Sequence, residues 1–301
     1  MFINKKKCAP IILFVYKRIN ILKKVIESLK KNKLSKFSEI YVFSDGYKNL
    51  DDKKKVLKVR EFLKKIKGFK KVTIVYRKYN LGLAENIIDG TSTILKIKKK
   101  GIILEDDIIV SSNFLDFMNL SLEKFKYKKK VWHINGWNYQ IKELAHNDIF
   151  YWRGMHCWGW ATWYDRWKNF KKNPEQLIKL FDNRAIKKFN YDGYYNFWNQ
   201  VLRNYKSKIN TWAIFWYATI FLNKGLCLSP RNSLTINIGY DTTATNALRS
   251  NFINNKFVNN NFQKNFTFPK IITENPFNYS QIKKYLLKKK IKTIFLGYFC
   301  K

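Results

Sequence analysis

The chain has 301 residues, enough to bury a large core as one domain or two halves, and 17% of them are aromatic, which excludes a disordered protein. Its 59 Lys and Arg against 21 Asp and Glu give a formal net charge of +38, so the surface attracts polyanions: nucleic acid, anionic lipid or phosphorylated substrates. Cys8, Cys157, Cys227 and Cys300 lie far apart, with no CxxC pair and no metal spacing, which argues against a disulfide framework and suits a reducing compartment.

In chain order, the first half alternates strand and helix signals. Pro10 precedes Ile11–Tyr16, a short β-branched apolar run that reads as the first strand. Ile21, Leu22, Val25, Ile26 and Leu29 then recur at helical spacing. Ile40–Ser44 reads as the second strand, ended by the turn signal Asp45-Gly46. Val56, Val59, Phe62, Leu63 and Ile66 make a helical stripe that Gly68 stops. Val72–Tyr76 is the third strand, Asn80-Leu81-Gly82 a turn, and Leu83–Leu95 a helix. Ile102–Glu105 is the fourth strand, Phe114 to Phe125 the next helix, and Val131–Asn135 the fifth strand. The alternation predicts an α/β fold with a mostly parallel central sheet flanked by helices. Ligands in such sheets bind beyond the C-terminal strand ends. Those ends carry Lys17-Arg18, Ser44-Asp45-Gly46, Asn80-Leu81-Gly82 and Glu105-Asp106-Asp107. No GxGxxG follows the first strand and no GxxxxGK[ST] occurs.

The stretch Gly101–Val110, GIILEDDIIV, runs a buried strand into three acids. Crowded carboxylates at the end of a buried strand repel one another, and a hard divalent cation such as Mg²⁺ or Mn²⁺ would relieve them. The same residues also read as an acidic turn ahead of a helix, with Ser111 and Ser112 as N-caps.

The second half is dense in rings: Tyr151-Trp152, Trp158-Gly159-Trp160, Trp163-Tyr164, Trp167, Tyr191 to Trp198 and Trp212 to Tyr217. Most of these read as core, and some as pocket lining, because the apolar faces of sugars sit on aromatic rings. Pro230 to Asn246 is rich in small polar residues and suits a mobile loop, and Asn251–Asn265 reads as poorly ordered. The tail Tyr279–Lys301 carries seven lysines from Lys283 on, and reads either as an amphipathic helix on anionic lipid or as a solvated terminal helix. The apolar run after Lys5–Lys7 is cut by Lys17 and Arg18, so no signal peptide is visible. The apolar stretch Thr211–Leu222 is about half a membrane span. A cytoplasmic protein is expected, with peripheral attachment to the inner face of the plasma membrane left open.

Five segments occur in an order that resembles bacterial glycosyltransferases of the GT-A fold: LFVYKR (Leu13–Arg18), VFSDG (Val42–Gly46), NLGLAENI (Asn80–Ile87), ILEDD (Ile103–Asp107) and WGWATWYDRW (Trp158–Trp167). Trp212–Pro230 and NIGYD (Asn237–Asp241) fit the same group, and the resemblance covers roughly residues 10 to 246. The chain is more distantly similar to N-acetylglucosaminyltransferase I, which also has an EDD triplet. The resemblance implies a nucleotide-sugar donor, with a UDP-sugar favoured, a divalent Mn²⁺ or Mg²⁺, and a glycan or lipid-linked acceptor hydroxyl. It also implies synthesis of surface polysaccharide or lipooligosaccharide. It puts Asp107 on the metal, Glu105 and Asp106 beside the donor ribose and sugar, Asp45 near the base, and Arg18, Asn80 and Gly82 around the nucleotide. Inverting transfer needs a general base. Asp192 is the first candidate and Asp241 the alternative, while Asp165 reads as a structural partner of Arg166. A His found in relatives after the small residues of the loop is here Asn246. The organisation expected is a nucleotide-sugar half over 1–130, an acceptor half over 131–270 and a basic tail over 271–301.

Two other classes compete. A nucleic-acid-binding protein would explain +38, but the lysines are spread over most helices and no RNP, KH or zinc-finger signature occurs. A metal-dependent nucleotidyltransferase or phosphohydrolase also uses strand-end carboxylates, but LFVYKRIN lacks the Gly-rich basic loop expected after the first strand.

Overall fold

Strand β1 (Ile11–Val15) is buried along its whole length, and its side chains alternate between two cores. Ile11, Leu13 and Val15 join one hydrophobic cluster, and Ile12 and Phe14 the other. The period of two and burial on both faces place β1 inside a sheet covered on both sides. These relations come from a computed structural model that describes residues 5–145, 149–239 and 266–299. Asp241, Asn246 and the stretch Asn251–Asn265 lie outside the described residues.

The strands β2 (Glu39–Ser44), β3 (Lys71–Tyr76) and β4 (Lys100–Glu105) pair in parallel around β1, in the order β3-β2-β1-β4. Helices α1 (Ile19–Lys30), α2 (Leu50–Leu63) and α3 (Gly82–Lys98) connect them, as the strand–helix alternation predicts. Leu22, Val25, Ile26 and Leu29 form the buried stripe of α1. Asn49 caps α2 by accepting from the Asp52 N–H at 3.0 Å. Lys99, at φ 68, closes α3 in the left-handed region.

After β4 the order departs from chain sequence. A short β5 (Ile108–Val110) leaves the main sheet and pairs antiparallel with β10 (Thr235–Asn237). Helix α4 (Phe114–Lys124) then leads to β6 (Val131–Asn135), the expected fifth strand, which does not neighbour β4. Between them lies β8 (Trp160–Trp163), antiparallel to both. Beyond β6 come β9 (Leu226–Pro230), parallel to β6, and β7 (Ile149–Trp152), antiparallel to β9. The sheet has eight strands among the described residues, and six of them point one way. The mixed α/β layering with a mostly parallel sheet is therefore as expected, with an antiparallel insertion that the alternation of the first half did not signal.

The aromatic second half packs mainly on itself. Helices α5 (Tyr164–Trp167), α6 (Pro174–Leu180), α7 (Asn183–Phe189), α8 (Trp198–Tyr205) and α9 (Ala213–Leu222) surround Trp152, Trp160, Trp167 and Trp216, all fully buried. Trp160 stacks on Trp212 at 5.3 Å, and Trp216 donates its indole N–H to His133 Nδ1 at 3.0 Å. Burial pushes His133 down to about 3, so it is neutral and accepts. Helix α10 (Pro276–Phe299) lays Tyr279, Ile282 and Leu286 into the same core. No helix among the described residues is long and apolar enough to cross a membrane.

Arg166, in α5, is 2% exposed and ties this half to the first. Its guanidinium donates to the carbonyls of Phe125, Lys126, Lys128 and Val131 and to the Asp165 carboxylate at 2.7 Å. Asp165 is thus the structural partner expected of it. The fork fixes the α4–β6 connection against the end of β8, and its removal orphans several buried acceptors. Arg166→Met is expected to cost about 3–5 kcal/mol in a denaturant titration, whereas Asp165→Asn costs far less because the backbone acceptors keep their donor.

Candidate active site

The C-terminal ends of β1, β2 and β4 lie side by side, because Val15 pairs with Ser44 and Phe14 with Glu105. Glu105 ends β4, Asp106 and Asp107 make the tight turn into β5, and the acids are thereby held in one place. The alternative of an acidic helix start is not what forms. Asn113 precedes α4 without a side-chain cap bond, and the Ser111 hydroxyl bonds Asn113 instead.

Arg18, three residues beyond β1, supplies the local positive charge. Its Nη2 lies 2.6 Å from Asp106 Oδ1 and 2.8 Å from Asp107 Oδ2. The Tyr16 N–H donates to Asp106 Oδ2 at 3.2 Å. Burial opposes the Arg18 charge, but the two carboxylates outweigh it and hold Arg18 above its usual range. Burial lifts Asp106 as well, with Arg18 opposing. A guanidinium at that distance does not deprotonate, so Arg18 keeps its charge beside both acids. Burial first, then the charges of Asp107 and Asp106, push Glu105 up to about 8. One cation therefore does not neutralise three acids.

Two details bear on a metal. Asp107 Oδ1 is buried without a hydrogen-bond partner among the described residues. The β10 segment closes over the same carboxylate: the Ile238 N–H donates to the Asp107 carbonyl at 2.9 Å, and a Cβ at Gly239 would lie 2.2 Å from Asp107 Oδ2. Any larger residue there would have to move the Asp107 carboxylate and the Arg18 guanidinium. Among the described residues no three His, Cys, Asp or Glu side chains converge as a ligand set. The residues present thus fit an ion that takes one protein oxygen, Asp107 Oδ1, and draws its other ligands from elsewhere.

Asp45 joins the end of β2 to the start of α3. Its carboxylate is buried and accepts from the N–H groups of Gly46 at 2.9 Å, Leu81 at 2.9 Å and Gly82 at 3.0 Å, and from Asn80 Nδ2 at 3.2 Å. Asn80 also donates to the Gly46 carbonyl at 2.7 Å. Asp45, Asn80 and Gly82 therefore come together, as a lock joining the end of β2 to the start of α3. Gly46 allows the close approach, since a Cβ there would meet the Tyr79 carbonyl carbon at 2.3 Å.

Across β8, Ile103 and Asn135 both pair with Trp160, so the chain before β8 and the chain after β6 reach the same edge. Here Trp137 meets His156, Tyr139 and Trp158 at 4.6, 4.9 and 5.0 Å. Burial, followed by the charges of Glu105 and Asp107, raises the Cys157 thiol, which places this segment within electrostatic reach of the acids. Among these rings only Trp158 lies in a motif singled out in the sequence. Trp137 follows the end of the fifth predicted strand, and that position was the available signal.

Asp192, the first candidate for the base, contacts helix α10 and Arg153 among the described residues. Tyr191 and Asp192 have φ of 51° and 58°, and Gly193 follows at 92°. Asp192 Oδ2 accepts from Lys283 Nζ at 3.0 Å and Tyr279 Oη at 3.1 Å, both on α10. Arg153 lies 3.9 Å away and is held by Glu274 through Nε at 2.9 Å and Nη2 at 2.6 Å. Burial raises the Asp192 carboxyl, but the bonds from Lys283 and Tyr279 and the charges of Lys283 and Arg153 outweigh it and leave it below the usual range. The carboxylate thereby clamps α10 to the turn at 191–193. A depressed folded-state pKa contributes stability above the unfolded value of about 3.9 and loses it as pH falls through the folded value. Asp192→Asn is therefore expected to lower the melting temperature at pH 7, and the difference from wild type should shrink progressively in melts taken below about pH 3.9.

The sequence matches no protein-family model and no characterised protein. Among solved structures, the mannosyltransferase PcManGT from Pyrobaculum calidifontis, in complex with GDP-Man and Mn²⁺, is 10% identical over 73% of this chain and 72% of its own, with a TM-score of 0.38. GlyE from Streptococcus pneumoniae, a glycosyltransferase, is 11% identical over 73% of this chain, which spans 44% of GlyE, with a TM-score of 0.34. A UDP-glucose pyrophosphorylase complexed with UDP-glucose is 8% identical over 74% of this chain and 90% of its own, with a TM-score of 0.38. At those scores the likenesses carry no argument about this chain.

Proposed function

We propose that the protein is a metal-dependent GT-A-type glycosyltransferase that moves a sugar from a nucleotide-sugar donor to a hydroxyl of a glycan or lipid-linked acceptor. The observation that carries this reading is the unpartnered, buried Asp107 Oδ1 within an acidic triplet at the end of a parallel strand. A bound Mn²⁺ or Mg²⁺ would supply positive charge to the departing diphosphate. Asp107 would hold it, and Arg18 would add a second cation on the diphosphate side. Glu105 and Asp106 would accept hydrogen bonds from ribose and sugar hydroxyls. The Asp45–Asn80–Gly82 lock would fix the shape of the base-binding edge from behind, and a UDP-sugar is the favoured donor. Trp137 and Trp158 would offer ring faces to the acceptor sugar. For inverting transfer the candidates for the base are Asp192 and, as the alternative, Asp241. Assembly of a bacterial surface glycan on the cytoplasmic side of the membrane would suit such chemistry.

The outer face of α10 supports a membrane partner. Lys284, Leu287, Lys288 and Ile291 are exposed at helical spacing, while Tyr279, Ile282 and Leu286 are buried beneath them. Lysines around a short apolar stripe suit an anionic surface.

Asp107→Ala is expected to keep the wild-type melting curve and to lower sugar transfer by about a thousandfold or more, read as release of nucleoside diphosphate with a new glycoside. Mn²⁺-dependent thermal stabilisation by one nucleotide sugar in a panel would name the donor, and release of pyrophosphate instead would favour the nucleotidyltransferase class. Lys284→Glu/Lys288→Glu should reduce flotation with vesicles containing anionic lipid and leave the fold unchanged. This is a cleaner test than deleting the helix, which would strip Tyr279 and Lys283 from Asp192.

A further inference from the structure

Arg18 has a geometry that a phosphate-binding side chain alone does not need. It is 19% exposed, and a single nitrogen, Nη2, serves both Asp106 and Asp107. The backbone at Gly239 lies against the same pair, with a Cβ there 2.8 Å from Arg18 Nη1. The guanidinium therefore stands beside the oxygen that the proposed metal would use. Two cations so close repel, and the acids cannot serve both at full strength.

We propose that Arg18 is an internal counter-ion that holds the acidic triplet in the ligand-free protein and is exchanged for the divalent cation when a nucleoside diphosphate arrives. This rests on the donor-site reading above. The diphosphate offers Arg18 a richer set of oxygens than one contact to each carboxylate. As Arg18 transfers to it, Asp107 Oδ2 is freed beside the already unpartnered Oδ1. Metal alone meets a site guarded by positive charge, and diphosphate alone must draw Arg18 away from two acids. Together each relieves the obstacle to the other, and by linkage the coupling is reciprocal. Arg18 is thus a positioning residue as well as a phosphate ligand.

The test measures equilibrium binding of Mn²⁺ alone, from the loss of its free aqueous EPR signal, and of UDP or GDP alone by calorimetry, for wild type, Arg18→Gln and Arg18→Lys. Arg18→Gln should bind Mn²⁺ alone about tenfold or more tighter than wild type, because the acids lose their competing cation, and should bind the nucleotide alone more weakly. Arg18→Lys, which keeps the charge without the fork, should lie between. A guanidinium that only binds phosphate would weaken the nucleotide and leave Mn²⁺ affinity unchanged, and that result overturns the proposal. If Arg18→Gln does not fold by circular dichroism, Arg18→Lys carries the comparison, and Mn²⁺ affinity equal to wild type overturns it equally. If wild type binds neither Mn²⁺ nor either nucleotide, singly or together, the donor-site reading itself falls.

Discussion

Three carboxylates within one turn at the end of a buried strand set the terms for the rest of this site. Like charges at such spacing in a poorly solvated place cannot all stay ionised without a cation. The fold answers in three ways at once. Arg18 is brought from the neighbouring strand to Asp106 and Asp107. Glu105 is shifted up to about 8 by burial and its neighbours. Asp107 keeps one buried oxygen with no hydrogen-bond partner among the described residues. The third answer separates a functional site from a structural ion cluster. A cluster meant only to hold the fold together would use that oxygen, as Asp45 uses both of its own.

The sheet order makes that residual demand useful. Inserting β8 between β4 and β6 brings the chain around Trp158 next to the acids, and the end of β6 carries Trp137 to the same edge. The β5–β10 pair folds the late segment back over Asp107. Parts of the chain more than a hundred residues apart thus converge on one strand end. The two cores run along the two faces of this one sheet and draw on both halves of the chain.

The legible part of the molecule was that governed by local rules. The first five predicted strands and the helices between them follow from periodicity and turn residues, and four of those strand ends form the expected edge. The Asp45–Asn80–Gly82 association was visible only as two turn signals, because the bond between them is made across adjacent strands. Strand β8 was hidden for a physical reason. WATW carries large rings on both faces, and burial on both faces erases the alternation that marks a strand. The setting of Asp192 was hidden because Asp-Gly beside aromatics looks alike whether it lines a cleft or clamps a helix. The deciding partners, Tyr279 and Lys283, lie 87 and 91 residues further along the chain. Arg166 likewise looked like one member of an aromatic motif, while its acceptors are backbone carbonyls that leave no mark in the sequence.

The scarcity of arginine sharpens the reading of the site. Against 50 Lys there are 9 Arg, and several of these do work that an ammonium on a flexible stem cannot. Arg166 spreads its donors over four carbonyls and a carboxylate, Arg153 grips Glu274 through two nitrogens, and Arg60 joins Ser44, Asp45 and Arg77 at the end of β2. In each of those the planar fork is spread over several acceptors, so the side chain is fixed. Arg18 touches its two acids through Nη2 alone. Arg166 and Arg60 are staples because leaving would orphan several acceptors at once, and Arg153 is held through two nitrogens. Arg18 is tied through one nitrogen to acids that a divalent ion would hold more strongly, so its displacement costs least of the four. The positive charge nearest the site is therefore also the one best placed to be exchanged.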